Sequence, residues 1–387
     1  MSVTAPEGFV AAGVACGIKP AGRPDLALVA TGDGCAVEAA AVFTTNLATA
    51  APVQVSRRHL ATTGGRAAAV VLNSGNANAA TGATGLAVAA GTCALVAQAL
   101  GCATEEVLVC STGLIGIPLA LTPFHAGVPA VVAARSRGGG PAAAGAILTT
   151  DTGPKEVVVV GAGFTIGAMA KGAAMLAPNM ATMLAVLTTD AAVPAGQLRA
   201  ALAAAVVASF NTLTVDGATS TNDTVIVLAG GGRGPVDAEA FAAGLAEACA
   251  GLAGQMAADA EGATKLVQVQ VTGAATDADA ARAARKVAES QLVKCSFYGQ
   301  DPYWGRVVSE LGSAGVAFEL DRVSVAYGGV LVCRSGEPCA HDAAAVVAHL
   351  SGRRVSVTAD LGLGTGRATI TTADLTPAYI DENMRTS

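Results

Sequence analysis

The sequence predicts a mixed α/β protein, and three observations lead there. Short apolar runs bounded by Gly, Asn and Asp alternate along the chain with Ala-rich stretches of helical spacing. Hydrophobic residues make up 52% and aromatics only 3%, so the core must be built from Ala, Val and Leu rather than rings. At 387 residues there is material for two or three units of ~100 to 200 residues, and no repeat period is evident.

The elements follow in order. Ala67 to Thr104 carries no charge, and roughly 18 apolar residues can cross a bilayer. Asn73, Asn76 and Asn78 with Gly75, Gly82 and Gly85 break that stretch, and no Lys/Arg asymmetry flanks it, so a buried segment is expected rather than a membrane span. Leu108-Val109-Cys110 reads as a strand, and the Gly138–Pro141 and Gly230–Gly232 tracts read as surface turns or short linkers. Val157 to Val160, Gly161-Ala162-Gly163 and Phe164 to Ala170 form an expected hairpin whose second strand delivers Lys171 to its end. Met183 to Thr189 fits a buried strand, and Pro194 opens a helix carrying Leu198, Leu202, Val206 and Phe210. A second helix from about Asp237 puts Phe241, Leu245, Ala248, Leu252 and Met256 on one face and runs out near Ala260. Glu261-Gly262 then forms a loop between rigid elements. Val267 to Val271 alternates as a half-buried strand, followed by an Asp277-capped helix through Lys286.

Several function classes are excluded. A net charge of -6 without a basic run gives no footprint for nucleic acid. The opening MSVTAPEGFV has neither a basic region nor a long apolar run, so no secretory signal is visible and a cytoplasmic location is expected. Nine scattered cysteines without a C-x-x-C pair, and four histidines, offer no metal spacing; buried free thiols in a reducing compartment are expected. Neither a dinucleotide fingerprint nor a G-x-S-x-G elbow is present. What stands out is a set of polar clusters: Asn73 to Asn78, Ser111-Thr112-Gly113, Thr149 to Thr152, Lys171-Gly172, Asn179 to Thr182 and Thr219 to Thr224. Taken singly, each is more readily a turn bonding its own backbone, or a Thr pair in a strand.

Read together, LNSGNANAATG, STGLIGIPL, AILTTDTGPKEV, AKGAAMLAPNMATMLAVLTTDA, SFNTLTVDGATSTNDTV, AEGATKLVQVQVTGA, DPYWGRV and YIDEN resemble successive blocks of the ArgJ family, in order and over essentially the whole chain. Its members are ornithine acetyltransferases of arginine biosynthesis, some also N-acetylglutamate synthases. The resemblance implies self-cleavage between Ala181 and Thr182, giving chains 1–181 and 182–387 assembled as a heterotetramer of two of each. It implies a DmpA/ArgJ-like α/β sandwich, with paired sheets between helices and a smaller C-terminal lobe at roughly 280–350. Thr182 is the implied nucleophile and Thr112 and Gly113 the oxyanion hole. Thr149, Lys171, Thr182, Glu261 and Asn383 are implied substrate contacts, with Ser387, or else Thr386, as a terminal hydroxyl. This chain closes one residue short of the family pattern, and Tyr303 stands where an Asn is expected.

Chemistry fits these residue types. Cutting before a threonine gives one residue both a hydroxyl nucleophile and a free α-amine, whose reference pKa of about 7.7 to 8.0 suits a general base. Donors aimed at the developing oxyanion are usually the largest catalytic effect. Lys171 suits a substrate α-carboxylate, and Glu261 the cationic side chain of ornithine. The expected partners are therefore N-acetylornithine, glutamate and ornithine, with no metal or bound cofactor. Acetyl-CoA is an alternative donor on which the sequence does not decide. Two other readings stay open: a self-processing N-terminal-nucleophile amidohydrolase or aminopeptidase, and a variant acetyltransferase of secondary metabolism.

Overall fold

The computed structural model describes residues 2–175, 177 and 183–384. Ala181, Thr182 and Ser387, together with Thr386, lie outside the described residues. The chain divides into two units: Met1–Asn211 with Ala218–Met256, and Thr212–Gly217 with Ala257–Thr386.

Ten strands build the first unit: Phe9–Val14 (β1), Leu26–Thr31 (β2), Val37–Phe43 (β3), Arg66–Ala67 (β4), Ala69–Asn76 (β5), Val107–Leu114 (β6), Lys155–Gly161 (β7), Phe164–Lys171 (β8), Leu184–Thr189 (β9) and Thr224–Ala229 (β10). They form one sheet in the order β1-β2-β5-β6 and another in the order β4-β3-β10-β9-β8-β7. Phe9, Val29, Leu72 and Leu108 of the first sheet meet Met169, Val186, Ile226 and Leu228 of the second in one buried cluster. Removing side chains of this size from water contributes roughly 1.5 to 3 kcal/mol each. Because both faces of β2 and β9 are covered, residues 26–30 and 184–187 are unbroken apolar runs instead of alternating ones, with threonines only at the strand ends.

Helices Ala51–Thr62 (α1), Gly82–Leu100 (α2) and Thr122–Ala134 (α3) cover the outer face of the first sheet, where Val55, Val96, Phe124 and Val128 pack on Leu28, Val71 and Val109. Helix α2 has the length and composition of a membrane span, yet its Val88, Ala89, Cys93, Val96 and Ala97 are buried against that sheet. Gly138 lies in an exposed turn as expected, but Gly140 and Pro141 open a helix, Gly140–Ala146 (α4), which buries Ala143, Ala144 and Ala146 and corrects the second half of that reading. The small residues there were a sign of close packing. On the second sheet lie Ala195–Ala208 (α5), whose first turn follows Pro194 as expected, and Ala238–Ala258 (α6), where Phe241 meets Phe164 edge-on at 5.6 Å. The first unit is therefore the expected sandwich of paired sheets between helices.

The second unit carries a six-stranded sheet of its own, formed by Leu266–Ala274 (β11), Ser324–Tyr327 (β12), Val330–Arg334 (β13), Glu337–Pro338 (β14), Arg354–Asp360 (β15) and Gly366–Ala373 (β16) in the order β14-β13-β12-β15-β11-β16. Its helices are Asp277–Glu289 (α7), Gln291–Tyr298 (α8), Trp304–Gly312 (α9), Ala343–Ser351 (α10) and Pro377–Asn383 (α11). Val267, Val269 and Val271 point into the core with Val287, Phe297 and Leu311, as the alternation in β11 requires. The cap of α7 is a correction: the Thr276 hydroxyl accepts from the Asp279 amide at 3.1 Å, while Asp277 is the first helical residue and accepts from the Arg367 amide. Both are good N-terminal residues, and the Asp277 carboxylate is engaged by the Arg367 amide instead. The thiols also differ from expectation. Cys93, Cys110, Cys249 and Cys333 are buried, but Cys35 and Cys295 are exposed.

Candidate active site

Five strand ends, from both sheets, lie at one rim of the first unit. Strand β8 pairs antiparallel with β9 so that Lys171 faces Leu184, and β9 runs parallel to β10 with Leu184 opposite Thr224. In the other sheet β5 and β6 run parallel, placing Ser74 beside Thr112 and Gly75 beside Gly113. The expected hairpin of β7 and β8 forms and carries Lys171 to the rim, but its turn is Ala162-Gly163 alone, because Gly161 still pairs with Phe164 at the end of the ladder.

Lys171 is 3% exposed, and its ammonium donates to the Thr149 hydroxyl at 2.7 Å and the Thr112 hydroxyl at 3.3 Å. Three residues expected to act together, from distant parts of the chain, are thus joined through one nitrogen. Asp151 organises them. Its carboxylate lies 3.7 Å from the Lys171 ammonium and 2.6 Å from that of Lys155, and accepts from the amides of Gly172 at 2.6 Å and Thr149 at 3.2 Å. Burial alone would raise this carboxyl, but the charges of Lys171 and Lys155 and these bonds hold it at about 2. A buried lysine is tolerated here because it is paired.

Gly113 adopts φ +131°, and a Cβ at that position would lie 2.3 Å from the Gly75 carbonyl carbon. Only glycine allows so close an approach of the two strand ends. Thr112 is buried and Gly113 is exposed, so a hydroxyl donor and an accessible main-chain edge adjoin at the end of β6. The Asn73 to Asn78 cluster braces that end. The Ser111 hydroxyl donates to the Asn73 side chain at 2.6 Å, Asn73 donates to the Asn76 carbonyl, and Asn76 donates to the Ile117 carbonyl.

Lys19 also approaches the rim. Its ammonium donates to the Leu148 carbonyl at 2.6 Å, next to Thr149, and burial lowers it to about 8. Asp25 sets its loop by accepting the main-chain amides of Cys16, Gly17, Ile18 and Lys19. In the second unit the structure pairs two other expected residues: the Asn383 side chain donates to Glu261 at 2.8 Å, and Glu261 is 7% exposed in the loop before Gly262.

Sequence reasoning had not given roles to Asp151, Lys155, Lys19, Asn222 or Asp223. Asp151, Asn222 and Asp223 lie inside polar clusters already picked out, so their signal was a carboxylate or amide within an otherwise neutral Thr-rich run. Lys19 and Lys155 carried no comparable mark.

Comparison with known proteins completes the picture. The family model described as ArgJ family matches residues 10–386. The arginine biosynthesis bifunctional protein ArgJ of Thermobifida fusca is 50% identical over 384 residues, 99% of both chains. That of Symbiobacterium thermophilum is 50% identical over 394 residues, covering 98% of this chain and 97% of its own. A crystal structure of the Mycobacterium tuberculosis ornithine acetyltransferase complexed with ornithine is 45% identical to this chain, covering 47% of it and 96% of that chain, with a TM-score of 0.42.

Proposed function

Since the chain belongs to the ArgJ family, we propose that it moves an acetyl group from N-acetyl-L-ornithine to L-glutamate by way of an acetyl ester on Thr182, after cutting itself between Ala181 and Thr182. It is an acyltransferase of arginine biosynthesis. The observation that carries the site assignment is the convergence of the Thr149 and Thr112 hydroxyls on the buried Lys171 ammonium, on the strand that leads toward the segment holding Thr182.

Self-cleavage begins when the Thr182 hydroxyl adds to the Ala181 carbonyl and the peptide nitrogen leaves as the new α-amine. Water then resolves the Ala181 ester, giving chains 1–181 and 182–387. In the transferase reaction the α-amine takes the hydroxyl proton as the Thr182 oxygen adds to the acetyl carbonyl of N-acetylornithine. The Thr112 hydroxyl and the Gly113 amide donate to the oxyanion, where charge develops. Collapse expels ornithine with the proton returned to its nitrogen, and the amine of glutamate attacks the acetyl-threonine ester in the mirror sequence. Lys171, held by Asp151, meets the substrate α-carboxylate, and the Thr149 hydroxyl orients it. Glu261, fixed by Asn383, meets the cationic end of ornithine, and Ser387 adds a terminal hydroxyl.

Since Thr182 itself carries the acyl group, the reaction as written uses no bound cofactor. Acetyl-CoA would enter only as an alternative acetyl donor, in the synthase reaction. The assembly is proposed as two of each cleaved chain, in the cytoplasm.

Intact mass of the purified protein, before and after brief exposure to N-acetylornithine, tests the reading. Two chains separated before Thr182, with one acetyl group added to the later chain, are expected. A single unmodified chain of 387 residues would overturn it. Hydrolysis of N-acetylornithine without stimulation by glutamate would instead identify an amidohydrolase.

A further inference from the structure

The segment before β10 carries two buried polar side chains that the proposed chemistry does not use. The Asp223 side chain is fully buried; its Oδ1 accepts from the Met183 amide at 2.9 Å, and among the described residues its Oδ2 has no hydrogen-bond partner. The Met183 carbonyl in turn accepts from the Thr224 amide. The residue following Thr182 is therefore gripped on both sides by residues 223 and 224. One position earlier, the Asn222 side-chain nitrogen donates to the Ser111 carbonyl at 2.9 Å and to the Ala77 carbonyl at 2.6 Å. Ser111 immediately precedes Thr112. An unpartnered carboxyl oxygen in the core is costly, and an amide in its place would still accept from Met183.

We propose that Asn222 and Asp223 form a positioning pair, Asn222 holding the oxyanion end of β6 and Asp223 the start of the strand that follows the nucleophile, so that both keep a fixed separation. Neither side chain touches substrate. The proposal rests on reading Thr182 as the nucleophile and Thr112 with Gly113 as the oxyanion donors.

Three variants of the full chain test it, by following self-cleavage with time and then the kinetics of acetyl transfer. Asp223→Leu keeps the volume and removes the acceptor, and is expected to slow cleavage by roughly tenfold or more, the effect of one lost buried hydrogen bond. Asp223→Asn keeps an oxygen for the Met183 amide and is expected to cleave within about threefold of the wild type. Asn222→Asp loses both donors and is expected to lower kcat by roughly tenfold while leaving KM for N-acetylornithine within about twofold. Wild-type rates in Asp223→Leu, or a raised KM with unchanged kcat in Asn222→Asp, would overturn the proposal. If Asp223→Leu fails to fold, Asp223→Asn decides, because loss of cleavage there would mean that the carboxylate rather than the held amide is needed. An uncleaved wild-type chain overturns the underlying reading and the proposal with it, whereas a cleaved wild type with indifferent variants overturns the proposal alone.

Discussion

Replacing Asp151 with Asn tests the electrostatic centre of the site. The carboxylate is fully buried between two buried ammonium groups, at 2.6 Å from Lys155 and 3.7 Å from Lys171. Its pKa falls from 3.8 to about 2, and such a fall corresponds to about 2.5 kcal/mol of stability at neutral pH. Removing the charge also leaves two lysines uncompensated, so the loss in the Asp151→Asn protein should be larger, roughly 3 to 5 kcal/mol. For a unit of this size, a loss of about 3 kcal/mol would lower Tm by roughly 6 to 12 °C. Because the folded pKa is depressed, the contribution of Asp151 is complete above about pH 5 and disappears as pH falls through about 2. Roughly half should be gone by pH 3, so the gap between wild type and variant should narrow from pH 5 to pH 3. Urea unfolding followed by circular dichroism across that range measures the gap, and kcat measured on the same samples should fall by roughly 10 to 100-fold as Lys171 and Gly172 lose their anchor. Equal stability at pH 7, or a gap that does not narrow in acid, would refute the reasoning.

Other expectations follow from the same geometry. In Gly113→Ala the new methyl group would meet Gly75 at 2.3 Å on a backbone with φ +131°, so kcat should drop by roughly 10² to 10³ with KM little changed; steady-state kinetics with normal kcat would remove Gly113 from the oxyanion role. Glu261→Gln should weaken ornithine binding by roughly tenfold in calorimetry and leave glutamate binding unchanged, because only the cationic end of ornithine needs the anion; unchanged ornithine affinity would remove that assignment. Burial pushes the Asp223 carboxyl well above its usual range, against the opposing effects of the Met183 amide and the charge of Lys171. A raised folded pKa favours the fold at low pH and is lost as pH rises, so Asp223→Asn should gain in Tm relative to wild type between pH 5 and pH 8. A Tm difference that does not change with pH would show that Asp223 is already ionised in the fold.

Much of the architecture was readable before any coordinates, because it follows from local patterning. The alternation in Val267 to Val271, the hairpin around Gly161 to Gly163 and the Pro194 helix start are each set within a few residues. The roles proposed for Thr182, Thr112, Gly113 and Lys171 were readable only by resemblance, since each residue alone is an ordinary turn or strand component. Errors came where two neighbours could serve equally well, as with Thr276 and Asp277, or where a glycine that signals close packing was taken for a loop, as at Gly140.

By itself, then, the sequence determined the apolar periodicities, the absence of a basic or metal-binding footprint, and the blocks that resemble one enzyme family. Only the tertiary structure decided that Asp151 holds Lys171 and Lys155 together, that Lys171 joins Thr112 to Thr149, and that Asn222 and Asp223 brace the strand ends on either side. Those contacts depend on the parallel pairing of β5 with β6 and of β9 with β10, whose partners lie about 30 to 40 residues apart along the chain. Strand order and register are products of packing two sheets face to face, and no local stretch of sequence encodes them.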